Sequence, residues 1–527
     1  MKSVLILFLL FSTTFVVHSS KAWFLKNNMT CKYCLKKIFL TKFLSRLPHF
    51  ASVVVDVDLN YKRCKIDERF LSFSIDTLEM MRKFRCVPLR LEKFNNLAKA
   101  LKPAYLRIGG TPQDYLTIST KTRKENAGKS YRSKRDKIRQ AKETYNCTPY
   151  FENWKKMKPY TLPVFYFEEI AKFASRNGLK LIFGLNEKQR KSHNRWNAKH
   201  ARKIIRFAER NGYEVDWELG NEPNRYTKYG EKYGVTGEQL AIDISKLRSL
   251  VKRKSSQVFG PDITQPNYKS LMFMEEFLTS RPRVDAITYH QYYMHQTAST
   301  LAAYLDPTYL SKLNEQMAWQ RRLLEVTNTT SPLWLGETGS SSGGGARDLS
   351  DTYASGFLYL GKLGLASTHC HKVVIRQSFY GGYYGMLDPV THNPLPDYWS
   401  ALIFKKLVGD RVLDTNRVVE SYFQVFAFCS RASRYDIVVM AINLNLNETI
   451  RFSIRGLEKK EVEAYVLTAP DNNLQSKMIL LNGNILTLTK DNIIPSIKGV
   501  KAKTPVFLPR SSYGFFVFKN VNANGCM

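Results

Sequence analysis

The sequence predicts an α/β chain: a (β/α)8 TIM barrel with a C-terminal antiparallel β-sandwich domain. Three observations carry this. Short apolar runs recur through the middle of the chain, most of them ending in Gly, Asn, Asp or Glu. Segments with helical spacing lie between those runs. After about residue 410 the helical spacing stops, and strand-like runs follow one another through short turns.

The apolar runs are FLSFSID (70–76), AYLRIGG (104–110), LKLIFGLN (179–186), VDWELGNEP (215–223), QVFGPD (257–262), VDAITYHQYY (284–293), PLWLGETG (332–339) and KVVIRQSFYGG (372–382). Continuous apolar runs suit parallel strands buried on both faces. Residues 89–101, 163–177, 197–210, 236–254, 307–327 and 350–363 place apolar groups at helical spacing, with Asp348 or Ser350 as the N-cap of the last. Such alternation closes into a barrel. The rival, a doubly wound open sheet, wants a Gly-rich phosphate loop after its first strand, and no G-x-G-x-x-G follows here.

Beyond the barrel come SYFQVFAFC (421–429), YDIVVMAINL (435–444), TIRFSI (449–454), VEAYVLTA (462–469), KMILLNG (477–483) and YGFFVFK (513–519), with Asn482-Gly483 as a hairpin signal. VVVDVDL (53–59) alternates ahead of the barrel and reads as a strand lent to the C-terminal sheet. The expected organisation is a signal peptide at 1–20, an N-terminal segment at 21–60 and a barrel at 61–408. A basic insertion or processing linker interrupts the barrel at about 119–158, and the β-sandwich occupies 409–527.

The chain has 527 residues, 44% hydrophobic and 24% charged, which excludes a disordered, collagenous or multi-span membrane protein. Lys+Arg number 80 against 45 Asp+Glu, a formal charge of +35. That excess favours a polyanionic partner: nucleic acid, anionic membrane or sulfated polysaccharide. A solubility effect is the alternative. Met1-Lys2, the apolar run Val4 to Val17 and the small residues Ser19, Ser20 and Ala22 read as a secretory signal peptide. An uncleaved anchor is the alternative, although the run is short for a span. Secretion implies an extracellular or lysosomal location and argues against nucleic acid. Sequons at Asn28, Asn146, Asn328 and Asn447 fit that route. The eight cysteines are too few for a disulfide scaffold, and the lone C-x-x-C of Cys31 and Cys34 is a weak zinc signal, so no metal is expected. The segment from Lys121 to Lys142 is basic and nearly without aliphatics. It reads as a solvated insertion or as a protease-sensitive linker.

Chemistry in a barrel sits at the C-terminal strand ends. Glu222 ends the fourth run and Glu337 the seventh. Two carboxylates facing one cavity suit glycoside hydrolysis, one protonating the leaving oxygen and the other attacking the anomeric carbon. The alternative is a structural pair bridged to Arg107 or Arg376.

With these residues the sequence resembles the heparanases and related endo-β-glucuronidases of glycoside hydrolase family 79, and also the leech-type hyaluronidases of that family. The likeness rests on PAYLRIGGT (103–111), LKLIFGLN (179–186), WELGNEPN (217–224), GPDITQP (260–266), TYHQYY (288–293), WLGETGSSSGGGARDLSDTYASGF (334–357), KLGL (362–365), VVIRQ (373–377) and PLPDYW (394–399), and spans about Val53 to Cys526.

The resemblance implies Glu222 as acid/base and Glu337 as nucleophile of a retaining double displacement, with carboxyls roughly 5–5.5 Å apart. It implies that Asn221 meets the sugar 2-OH and that Tyr292 orients Glu337, while one of Tyr292 and Tyr293 belongs to the core. The Gly343-Gly344-Gly345-Ala346 loop and Tyr384 would meet a uronic-acid carboxylate. Asp76 and Thr111 match sugar-contacting positions, and Gln265 lies in a shared motif. An asparagine of heparanases appears here as Leu78. Lys269 and the loop residues Lys188, Arg190 and Lys191 would line a basic cleft. The implied partner is heparan sulfate or a heparin-type polyanion, through whose proteoglycans the protein could associate with matrix or membrane. No cofactor is implied, and linker excision would leave a two-chain heterodimer. Hyaluronan is the second substrate candidate, and a non-catalytic heparan-sulfate-binding homologue is the third reading. A Cys429–Cys526 disulfide is implied, whereas Cys147 lacks its usual partner because Arg176 stands near that position. The acid Glu222 is expected to have a raised pKa beside the second carboxylate, giving a bell-shaped profile with an acidic optimum.

Overall fold

The computed structural model describes residues 50–120, 157–229, 234–415 and 421–527. Two strands precede the barrel, β1 (Phe50–Val55) and β2 (Val57–Lys65). The barrel begins with β3 (Leu71–Asp76) and β4 (Ala104–Gly109). A small parallel pair follows, β5 (Leu116–Ser119) and β6 (Tyr160–Pro163). Then come β7 (Leu179–Leu185), β8 (Val215–Leu219), β9 (Val258–Ile263), β10 (Ala286–His295), β11 (Leu333–Ser342) and β12 (Val374–Tyr380). Strands β3, β4 and β7 to β12 close into one parallel barrel, and each overlaps one of the eight apolar runs.

Helices cover the outside: α1 (Thr77–Met81), α2 (Glu92–Ala100), α3 (Phe165–Arg176), α4 (Lys199–Arg210), α5 (Gly237–Leu250), α6 (Tyr268–Thr279), α7 (Leu301–Tyr304), α8 (Thr308–Val326), α9 (Ser355–Thr368) and α10 (Pro396–Leu407). The six expected helices are present, all starting later than expected, and α9 runs five residues past its expected end. Two full-length helices, α6 and α10, were missing from the expectation. Helix α6 announces itself only by a capping box, Asn267 receiving the Ser270 N–H while Ser270 Oγ receives that of Asn267. The cap expected for α9 is also different. Neither Asp348 nor Ser350 caps it, because the helix starts later, after Ala354. Ser350 is instead buried among hydroxyls, bonded to Tyr304 and Ser340 at 2.8 Å each.

Inside the barrel, period-2 alternation stacks two layers of opposite character. The lower layer is apolar, built from Tyr105, Ile182, Phe259, Ala286, Trp334, Val373 and Ile375. Two residues further along their strands, Arg107 follows Tyr105 and Gln377 follows Ile375, and both are buried. A dry floor thus carries a polar layer at the strand ends.

The chain continues as β13 (Val408–Thr415), β14 (Phe423–Ser430), β15 (Ile437–Asn443), β16 (Thr449–Ile454), β17 (Val462–Thr468), β18 (Leu480–Leu481), β19 (Asn484–Ile485), β20 (Val500–Ala502), β21 (Val506–Leu508) and β22 (Ser512–Phe518). The 53–59 run, expected as one lent strand, falls in two: β2 pairs antiparallel with β13, and β1 joins β16 and β21 in a three-stranded sheet. Strand β14 shows how one sequence serves two cores. Val425, Ala427 and Cys429 point into the sandwich, whereas Phe426 and Phe428 join the core shared with the barrel helices. Cys429 and Cys526 are disulfide-bonded, as the resemblance implied. A second disulfide, Cys64–Cys370, joins β2 to the turn after α9 across 306 residues of sequence, a pairing not read from the sequence. Cys86 is also in a disulfide. The sequons at Asn328 and Asn447 are exposed. Residues 1–20, Cys31, Cys34, Cys147, Lys121 to Lys142, and the sequons at Asn28 and Asn146 lie outside the described residues.

Candidate active site

Glu222 and Glu337 both lie at the C-terminal mouth of the barrel, after β8 and on β11. Glu337 is aimed by a bulge. The β10–β11 register steps from Tyr289↔Leu335 to His290↔Glu337, so Gly336 has no partner of its own and Glu337 comes opposite His290. A matching step between β9 and β10 leaves out Asp262. The two irregularities touch: a Cβ on Gly336 would stand 2.8 Å from Asp262 Oδ1, so only glycine fits. Glu222 and Asp262 both have left-handed backbones, φ 51° and 52°, and the Glu222 N–H donates to the Asp262 carbonyl at 2.9 Å. Non-glycine residues in this region cost energy that the surrounding structure must supply.

Glu337 has two donors. Tyr292 gives its hydroxyl to Oε1 at 2.8 Å, and Arg107 reaches Oε2 at 2.8 Å. Arg107 is fully buried and also donates to Glu218 Oε2 at 2.7 Å and to Asn221 Oδ1 at 3.5 Å. The bridge to Arg107 considered from the sequence therefore exists, on Glu337, while Arg376 pairs with Asp397. Tyr293 is the core member of its pair, donating to the Leu358 carbonyl.

Glu222 faces two cations. His290 Nδ1 lies 3.4 Å from Oε1, and Arg225 Nη1 donates to Oε2 at 2.9 Å. Burial by itself would raise the Glu222 carboxyl, but the His290 hydrogen bond and charge, with Arg225, hold it below the ordinary glutamate range. This corrects the expectation of a raised acid, which weighed the second carboxylate and not these cations. His290 is pushed up to about 10: burial opposes its charge, but Glu337, Asp262 and Glu222 prevail. Among the buried carboxyls beneath, burial raises Glu218, whereas Asp262 is held low against burial by Arg107 and His290.

Beside Glu337, Tyr384 stacks on Tyr292 with ring centres 6.4 Å apart. Gln377 Nε2 bridges Asp76 Oδ2 at 2.9 Å and the Tyr384 hydroxyl at 3.5 Å. Burial pushes Asp76 up to about 7, against the Leu78 N–H it accepts. Among the described residues no cluster of His, Cys, Asp and Glu could hold a metal ion.

Residues 83–364 match the description "Glycosyl hydrolase family 79, N-terminal domain". Heparanase of Mus musculus is 34% identical, over 91% of this chain and 92% of its own length. The chain belongs to glycosyl hydrolase family 79. A second relative, hyaluronoglucuronidase of Hirudo nipponia, is 30% identical over 90% of this chain and 99% of its own. The fold is shared with a 4-O-α-L-rhamnosyl-β-D-glucuronidase from Fusarium oxysporum, at TM-score 0.64 and 15% identity, covering 89% of this chain and all of that one.

Other expected positions of this family-79 chain divide into two groups. Asn221, Asp76, Tyr292 and Tyr384 join the network around Glu337. Thr111 begins the turn after β4. Gly343, Gly344 and Gly345 all have positive φ, and the Gly344 carbonyl accepts the Tyr383 N–H at 2.7 Å, so the loop packs against Tyr384. The Ala346 N–H is already donated to Ser350 Oγ at 2.9 Å, which takes it out of the set expected to meet an anion. Gln265 and Lys269 are exposed at the start of α6, beyond the end of β9. The loop after β7 is less available than its composition suggests. Arg190 is engaged by Glu187 and Asp243, and Lys188 bonds the Tyr115 hydroxyl at 2.9 Å. Arg190 therefore serves the fold and not a cleft, whereas Lys191 is exposed. Glu218, Asp262, His290 and Arg225 were missed as site residues, although each lies in or beside a quoted motif.

Proposed function

We propose that this family-79 chain is a retaining endo-β-glucuronidase of heparan sulfate. Glu222 serves as acid/base and Glu337 as nucleophile. Glu222 protonates the glycosidic oxygen while Glu337 attacks the anomeric carbon, and Glu222 then deprotonates the water that releases the sugar. The carrying observation is that Glu337 has a donor on each oxygen, Tyr292 and Arg107. Both fix its direction. Asn221 meets the 2-OH, Asp76, Thr111, Gln265 and Lys269 line the cleft, and Tyr384 with the Gly344–Gly345 backbone receives the uronic carboxylate. The substrate class follows from the likeness to heparanase and from the +35 charge.

Hyaluronan is the second reading. The likeness to hyaluronoglucuronidase is nearly as extensive, and Arg190 is withdrawn from the basic cleft. Secretion through the 1–20 signal, and excision of the basic linker to a two-chain form, belong to the same proposal. The test is to incubate the purified protein with heparan sulfate and with hyaluronan at two ionic strengths and to size the products. Salt-sensitive shortening of heparan sulfate is expected, since sulfated chains shed counterions on binding. Salt-insensitive cleavage of hyaluronan alone overturns the heparan sulfate reading.

A further inference from the structure

Glu222 is gripped by an arginine three residues along its own turn. The Arg225 N–H donates to the Glu222 carbonyl at 2.9 Å, and its Nη1 donates to Glu222 Oε2 at 2.9 Å. The other side of the turn is pinned by Asn224, which exchanges hydrogen bonds with Thr264 at 2.8 and 3.2 Å. The backbone is held, and of the pair the arginine side chain is the more solvent-accessible. It is 36% exposed, whereas the glutamate beside it is 16% exposed and Arg107 below is fully buried. A carboxyl that must donate a proton is thus paired, at rest, with a permanently charged group.

With a third of its surface in solvent, the Arg225 side chain can be reached by a competing anion while Glu222 stays largely covered. A guanidinium binds sulfate or carboxylate in the same bidentate manner as it binds glutamate. We propose that Arg225 is a specificity-determining residue that leaves Glu222 for an anionic group on the leaving-side sugar, so that a sulfated substrate arms the acid it needs. This rests on the glucuronidase reading and narrows it, because the acid/base stands on the leaving-group side of the scissile bond. An uncharged N-acetyl group at that sugar cannot compete for the arginine.

The groups facing Glu222 set the direction of the pH effect. His290 lies on β10 and itself pairs with Asp262 on β9 at 3.4 Å. Tyr292 on β10 also faces Glu222 and holds Glu337 on β11, with Arg107 behind Glu337. Removing Arg225 leaves His290 as the cation on Glu222 and moves the carboxyl upward. In free enzyme the alkaline limb of kcat/KM reports that acid, so the limb moves to higher pH.

The test compares wild type with Arg225→Ala and Arg225→Lys on heparan sulfate, on the same chains de-N-sulfated and re-N-acetylated, and on hyaluronan. Arg225→Ala is expected to lower kcat/KM on the sulfated chains roughly tenfold, the size of one charge-assisted hydrogen bond. On the unsulfated chains it gains rate on the alkaline side. Arg225→Lys restores part of the preference. An unchanged ratio of sulfated to unsulfated rates, with an unmoved alkaline limb, overturns the proposal. A second measurement does not require turnover: carboxyl NMR titration of Glu222 with and without a sulfated disaccharide. The disaccharide should raise the Glu222 pKa in wild type and leave Arg225→Ala unmoved, and equal response in both overturns the proposal. Wild type that cleaves none of the polymers sinks the glucuronidase reading, and the titration still decides on Arg225.

Discussion

The phenolic hydroxyl of Tyr292 donates to Oε1 of Glu337 at 2.8 Å, from a strand position that the bulge at Gly336 brings alongside it. One hydrogen bond to a charged group is worth about 1.5–3 kcal/mol. Tyr292→Phe keeps the ring and its stack on Tyr384 while removing the donor. We expect kcat to fall about 10- to 100-fold with KM little changed. Steady-state kinetics checks this, and a pure KM effect would show that Tyr292 binds substrate without orienting the nucleophile.

Glu222→Gln and Glu337→Gln should each remove most turnover, by at least about 10²-fold for the acid/base. Binding of heparin should persist, since one charge is small against +35. Product assays and heparin affinity, run on the same preparations, check both halves. Near-normal hydrolysis by either variant means that the roles are wrong.

Lys362 on α9 is a buried strut between the strands that carry the site. Its Nζ donates to Thr338 Oγ1 at 2.5 Å, to the Gly339 carbonyl at 2.8 Å and to the Gln291 carbonyl at 3.2 Å, under the Tyr293 ring. Burial, with Arg376 nearby, drives its pKa well down. Lys362→Met leaves those acceptors without their donor, a loss of about 1–3 kcal/mol each at most. We expect a lower Tm and a kcat loss larger than the KM change. Unchanged kcat in a folded variant would make Lys362 purely structural.

Asp76 should make stability depend on pH. Its carboxyl sits at about 7 in the fold against 3.8 when unfolded. Between those values the native state keeps a proton that the unfolded chain has lost, so stability falls as pH rises from 4 to 7. Asp76→Asn should flatten that part of a Tm-against-pH curve. Parallel curves for the two proteins would contradict the assignment.

Limited proteolysis should cut first between Lys121 and Lys142, a stretch with almost no aliphatic residues. The cut two-chain form should be at least as active as the intact one. Mass spectrometry of the fragments, with activity before and after, checks both points. First cuts elsewhere would leave the solvated-insertion reading standing.

The sequence by itself determined the barrel, the lent strand and the two glutamates. These are properties of one segment at a time: an apolar run long enough for a strand, a polar residue at its end, a spacing that changes after residue 410. Helices α6 and α10 escaped because their starts are marked by a side-chain capping box and by a proline, not by a strong stripe. Tertiary structure alone decided which cations face Glu222 and how Glu337 is aimed. Period-2 alternation assigns a residue's face only while the ladder is regular, and the bulges at Gly336 and Asp262 shift that count by one exactly where Glu337 must turn inward. The charged partners come from far away in sequence, Arg107 reaching Glu337 across 230 residues and His290 reaching Glu222 across 68. That is why a raised Glu222 was expected and a lowered one found. A neighbouring carboxylate was legible in the motifs, whereas cations brought in by other strands became visible only when the barrel closed.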